Sequence, residues 1–130
     1  MRSIYILIAV AGIALIAISQ FSERVELTGW YSYTEGKAVS EKEAKKMLVF
    51  IGTDSCSICK RFKTFFNSNK TAMEFIKENF IPVYVDAAKE KPPVPVTFVP
   101  VFCVGFADNL SCFSAVEPGE LMEYLKQYSQ

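Results

Sequence analysis

The run Met47-Leu48-Val49-Phe50-Ile51-Gly52-Thr53-Asp54-Ser55-Cys56-Ser57-Ile58-Cys59 constrains this chain more than any other stretch. Its first residues are uninterruptedly apolar, the pattern of a strand buried on both faces. Gly52-Thr53-Asp54-Ser55 then has loop composition and supplies helix N-cap residues. Beyond the first cysteine, Ile58, Phe62, Phe65 and Phe66 recur at helical spacing. Cys56 is therefore expected where a buried strand hands over to a helix.

That position has chemical consequences. Free N–H groups and the positive end of the helix dipole stabilise a thiolate, so the thiol pKa falls and its nucleophilicity rises. Cys59 lies one turn further on, within reach of a mixed disulfide formed on Cys56. The pair can cycle between dithiol and disulfide. A structural disulfide and half of a zinc site are the alternatives, but strand, loop, C-x-x-C and helix in a βαβ setting is a redox signature.

Length and composition narrow the field. The chain has 130 residues, enough for one domain with a real core. Its 14 basic and 14 acidic side chains balance, which gives no electrostatic reason to expect a nucleic-acid partner. There is no histidine, so a histidine base, a Cys–His nucleophile pair and a histidine-ligated metal are all excluded. No cofactor and no metal site is expected. Thiols are left as the carriers of chemistry.

Ile4 to Ile18 is almost wholly apolar and follows Met1-Arg2-Ser3. Its length falls between a signal-peptide core and a spanning helix. Residues 1–22 are thus read as a signal peptide or a membrane anchor, and 23–130 as the folded domain. Ala17-Ile18-Ser19 offers small residues for cleavage, whereas Ser19-Gln20-Phe21 can extend a retained span. Arg2 favours a cytoplasmic N-terminus, which puts the domain outside the cytoplasmic membrane on either reading.

Along the domain, Val25 to Tyr33 is rich in β-formers and predicts a first edge strand, with a turn at Thr34-Glu35-Gly36-Lys37. Ser40-Glu41-Lys42-Glu43 matches a capping box and opens a short helix through Lys46. After the buried strand and the C-x-x-C helix, Thr71-Ala72-Met73-Glu74 opens another helix by the same signal. Phe80 to Val85 reads as a strand, parallel to the first buried one because a helical crossover joins them. Asp86 to Val96, with Pro92, Pro93 and Pro95, reads as extended loop. Phe98 to Val104 and Leu110 to Ala115 form a hairpin about Ala107-Asp108-Asn109, and Pro118 stands near the start of a last helix. A tight turn at Ala107-Asp108 places Cys103 directly opposite Cys112, and a disulfide between them is an option that a slip of one residue would remove.

With these elements in order, the chain resembles the thioredoxin family from about residue 25 onward. The resemblance rests on a C-x-x-C after a central strand and on Val99-Pro100 heading a later one. It implies an α/β fold with a central mixed sheet flanked by helices, its third helix here eroded to the proline-rich loop. Ala44 to Phe50, with Cys56 to Phe62, is similar to envelope thioredoxin-like domains, including those of transmembrane disulfide reductases. The resemblance makes Cys56 the attacking thiol, Cys59 the resolving thiol, and Val99-Pro100 a cis-proline step that binds substrate backbone. It implies a thiol–disulfide oxidoreductase of the cell envelope, reducing substrate proteins and drawing electrons from a membrane partner. Capture of Cu(I) by the two thiolates, or a structural subunit with an inert disulfide, are the other readings.

Three departures from the family stand out. Ser55 replaces the common tryptophan, and Asp54 puts a carboxylate near Cys56, which opposes thiolate formation. Phe50 occupies the place of the family's buried acid, six positions before the first cysteine. Ser57-Ile58 is neither the Gly-Pro of reductants nor the Pro-His of strong oxidants, so the motif itself carries no direction.

Overall fold

The computed structural model describes residues 25–129. The leading segment 1–22, read above as a signal peptide or anchor, lies outside the described residues. Among the described residues, no helix is long and apolar enough to cross a membrane.

Helix α1 (Tyr33–Glu43) leads into strand β1 (Met47–Gly52), then helices α2 (Ser57–Ser68) and α3 (Lys70–Asn79). Strand β2 (Ile81–Asp86), the hairpin β3 (Val101–Phe106) and β4 (Asn109–Phe113), and helix α4 (Pro118–Tyr128) follow. The sheet order is β2-β1-β3-β4, with β1 parallel to β2 and antiparallel to β3. No helix separates β2 from β3, as the prolines require.

β1 is buried at every position because helices cover both faces of the sheet. Met47, Val49 and Ile51 pack with Val83, Val85, Val101 and Cys103, and with Tyr33 and Val39 of α1. Leu48 and Phe50 face the other way, onto Phe62 and Phe66 of α2, Met73 and Ile76 of α3, and Leu121 and Leu125 of α4. Phe50 is the hub of this second layer. Its ring lies 5.0 Å from Phe102, 5.1 Å from Tyr84, 5.9 Å from Phe66 and 6.1 Å from Phe62.

The N-terminal part differs from the sequence expectation. The edge strand over Val25–Tyr33 is reduced to a single parallel bridge, Tyr31 to Val83. That bridge uses the outer edge of β2, where Tyr31 N–H donates to Pro82 O and Tyr84 N–H donates to Tyr31 O. The ring nitrogen of Pro82 faces the same outer edge, so no ladder bond to β1 is lost. α1 starts at Tyr33, not at Ser40, and contains the stretch read as a turn. Ser32 is its cap, its hydroxyl accepting from Glu35 N–H, while Ser40 is buried inside the helix. Gly36 serves close packing here, because a Cβ on it would collide with Val83 Cγ2.

Two further boundaries shift. α3 is capped by Asn69, whose side chain accepts from Ala72 N–H, rather than by Thr71. β3 begins at Val101, so Phe98 and Val99 belong to the preceding loop, and β4 ends at Phe113. The hairpin keeps Phe106 against Asn109 and therefore Cys103 against Cys112, whose sulfurs are bonded at 2.02 Å. This disulfide closes a short loop, which by chain entropy is worth about 2–3 kcal/mol. Changing Cys103 and Cys112 together to alanine should lower stability by about that amount in denaturant unfolding. The C-x-x-C chemistry should persist, since Cys103 lies in the α1-side layer and Cys59 in the other.

Candidate active site

Cys56 is the N-cap of α2, with extended backbone (φ −82°, ψ 114°). Its sulfur accepts a hydrogen bond from Cys59 N–H at 3.1 Å, satisfying one of the free donors of the first turn. The two sulfurs lie close to disulfide distance, with Cα atoms 5.2 Å apart. They differ in access: Cys56 is half-buried, whereas Cys59 has 0% exposure. Cys59 Sγ packs against the backbone of Gly52, where a Cβ would stand only 3.0 Å from it. A Cβ at Gly52 would therefore press on the Cys59 side chain and on the Phe50 ring.

The loop before β3 closes the site. The Val99–Pro100 bond is cis, and Val99 O lies 4.0 Å from Cys56 Sγ. Phe98 stands beside it with 60% exposure. Thus Cys56, Cys59, Val99 and Pro100 come together, while Cys103 and Cys112 do not join them. Because the two cysteine pairs sit in different layers, they cannot converge on one metal ion.

Sequence reasoning missed the charges beneath the helix. The buried stripe of α2 is Cys59, Phe62, Lys63 and Phe66, with Ile58 and Phe65 only half-buried at its margins. Lys63 is 2% exposed, and its Nζ lies 3.3 Å from Asp54 and 4.6 Å from the centre of the Tyr84 ring. A lysine at i+4 from a buried cysteine, with an aspartate in the preceding loop, was the available signal. Lys89 adds a second contact to Asp54 at 3.5 Å. Asp54 therefore points into an ion-pair network, which blunts the opposition to a Cys56 thiolate expected from the sequence.

Burial pushes the Asp54 carboxyl up, but the hydrogen bond and charge of Lys63, helped by Lys89, outweigh it and leave its pKa below 3.8. Burial pulls Lys63 down, yet Tyr84 and Asp54 beside it raise its pKa above 10.5. Burial also raises Tyr84 above 10.0, with Lys63 acting against it.

A cysteine pair at the mouth of a helix, on a mixed sheet with a cis-proline loop opposite, defines a C-x-x-C protein of thioredoxin-like architecture. The sequence profile of the thioredoxin-like family matches residues 29–104, and the chain belongs to that family. It is 61% identical over 127 residues to an uncharacterised protein of Archaeoglobus fulgidus, covering 98% of this chain and 100% of that one. A thioredoxin from Thermus thermophilus shares the fold, with TM-score 0.61 and 20% identity, covering 76% of this chain and 85% of its own. A thioredoxin-fold protein from Helicobacter pylori does so with TM-score 0.58 and 19% identity, over 67% and 70% of the two chains.

Asp54→Asn should cost about 1–2 kcal/mol at neutral pH, because it leaves the buried Lys63 without its carboxylate while water still reaches a site that is 39% exposed at Asp54. The sign with pH follows from the lowered pKa. The stabilisation by Asp54 is complete above the unfolded value near 3.8 and is lost as the pH falls through the lower folded value. Unfolding free energies of the two proteins, measured across acid pH, should therefore converge as the pH falls.

Proposed function

We propose that this protein is a thiol–disulfide oxidoreductase of the cell envelope that reduces disulfides in protein substrates. The observation that carries this reading is the unequal access of the two sulfurs: Cys56 capping α2 at the surface, Cys59 buried one turn behind. The Cys56 thiolate attacks a substrate disulfide, forming a mixed disulfide and expelling one substrate thiolate. Cys59 then attacks Cys56, the Cys56–Cys59 bond forms, and the second substrate sulfur leaves as thiolate. Two electrons pass to the substrate, and the Cys56–Cys59 disulfide must be reduced again by a dithiol partner. Val99 O, 4.0 Å from Cys56 Sγ, supports a substrate strand lying along this loop.

The envelope location is supported by the apolar run Ile4–Ile18 and by the Cys103–Cys112 bond, which suits an oxidising compartment. The reducing direction rests on the similarity to envelope reductases. An inert disulfide is disfavoured by the accessible position of Cys56.

Cys59→Ala should accumulate mixed disulfides through Cys56 in the native host, seen on non-reducing gels as adducts that reduction dissolves. Loss of those adducts in the Cys56→Ala, Cys59→Ala double variant completes the test; their absence from the single variant defeats the reading. Equilibration with glutathione or dithiothreitol should place the pair nearer thioredoxin's potential of about −270 mV than the −120 mV or so of a strong oxidant. A value at the oxidising end reverses the direction.

A further inference from the structure

The resolving step leaves one proton without a carrier. Cys59 must lose its proton before its sulfur attacks, yet it has 0% exposure. β1 beside it, Met47–Gly52, has no ionisable side chain. In such surroundings burial holds a thiol toward its neutral form. The acceptor has to come from a neighbouring element.

The register of the sheet supplies one. Gly52, on which the Cys59 sulfur rests, is the Cα partner of Asp86 in β2. Phe50 and its partner Tyr84 belong to the α2-side layer, and residues two apart on a strand share a face. Gly52 and Asp86 therefore turn toward α2 as well. Neighbouring strands lie about 4.8 Å apart, so the Asp86 side chain leaves the sheet one strand over from the Gly52 contact, on the face that Cys59 packs against. Asp86 is 8% exposed, with Oδ1 accepting from Ala88 N–H at 2.9 Å and Oδ2 3.7 Å from Lys89 Nζ.

Next to Asp86 lies a pocket of about 280 Å³, lined also by Trp30, Asp54, Lys63, Tyr84 and Lys89. Trp30 Nε1 and the Tyr84 hydroxyl are buried and have no protein partner among the described residues. In a polar pocket large enough for water, such groups are the hydrogen-bonding sites that hold it. The charged and titratable groups facing this space are Lys63 from α2, Tyr84 and Asp86 from β2, Asp54 and Lys89 from the adjoining loops, and Glu26 and Tyr31 from the N-terminal segment. Of the carboxylates, Asp54 is engaged by the buried Lys63 and by Lys89, and Glu26 is exposed. Among the described residues the charged partner of Asp86 is the exposed Lys89.

We propose that Asp86, through water in this pocket, takes the proton of Cys59 during resolution and returns it when the disulfide is reduced. This rests on the oxidoreductase reading above. The proton passes from the Cys59 sulfur to the Asp86 carboxylate, and the sulfur's electron pair makes the Cys56–Cys59 bond. The bond between Cys56 and the substrate sulfur breaks, and that sulfur leaves with its electron pair and is protonated by solvent. Acting through water, Asp86 is a positioning residue for the proton.

The test compares wild type, Asp86→Asn and Asp86→Glu as full chains, with a peptide disulfide as substrate in single-turnover quenching. Attack by Cys56 should stay within about twofold in Asp86→Asn, while resolution by Cys59 slows about 10- to 100-fold near neutral pH. The deficit should shrink as pH approaches the ordinary thiol range of about 8.5, and glutamate should restore part of the rate. Equal resolution rates, or a pH-independent loss that glutamate does not relieve, overturn the proposal. A second readout needs no substrate: the Cys59 Cβ chemical shift in the reduced protein. Wild-type Cys59 should show, besides its own ionisation, an inflection from Asp86 that Asp86→Asn removes. A single ionisation in the wild type overturns the proton route, even should the asparagine variant fail to fold. Absence of any mixed disulfide defeats the oxidoreductase reading instead, and the titration then still judges Asp86.

Discussion

The contact on which the site depends is that of the Cys59 sulfur with the backbone of Gly52. It leaves little room for a Cβ at the end of β1, and it brings the first turn of α2 down onto the sheet. Once that turn is seated, Cys56 falls at the cap, at the open end of the helix, while Cys59, three residues on along the same face, is covered by the end of β1. The difference in access between the sulfurs is thus a consequence of packing and not of any separate device. A larger residue at Gly52 would press first on Cys59, whose N–H donates to the Cys56 cap.

Phe50 sets the character of the ground beneath that contact. In the place where the family resemblance implies a buried acid, this chain puts a ring among Phe62, Phe66, Tyr84 and Phe102. Such aromatic pairs contribute about 0.5–1.5 kcal/mol each beyond the area they bury. An ionisable group there would be costly without a partner. The charges lie instead one strand over and at the margin, where Lys63, Asp54, Asp86 and Lys89 surround a space open to water. Polar chemistry is displaced sideways rather than removed.

Much of this was legible in the sequence, for identifiable reasons. The apolar run of β1, the helical spacing after Cys56 and the crossover to β2 are strong local signals, and they give the fold class. The hairpin register that sets Cys103 opposite Cys112 was one of those the sequence left open, and the strand pairing adopts it. What escaped were features that only tertiary contact defines. Gly36 looks like a turn former, yet its role is to admit Val83. The Ser40–Glu43 signal did not open the helix: Ser32 caps it, and Ser40 lies buried within it with its hydroxyl donating to Lys45 O. Lys63 reads as a solvated charge until Asp54 and the Tyr84 ring are seen to receive it.

The sheet also separates two kinds of sulfur chemistry. Cys103 and Cys112 join the edge strand β4 to β3 in the layer that α1 covers, while Cys56 and Cys59 meet across the mouth of α2 in the other. Thiol–disulfide exchange needs a thiolate in line with the bond it attacks. With the fully buried strands of the sheet between the two pairs, neither can reach the other without unfolding. One pair can therefore open and close through each cycle while the other stays shut and keeps the edge of the sheet in register. The bond that closes the edge of the sheet therefore does not compete with the C-x-x-C pair at the mouth of α2.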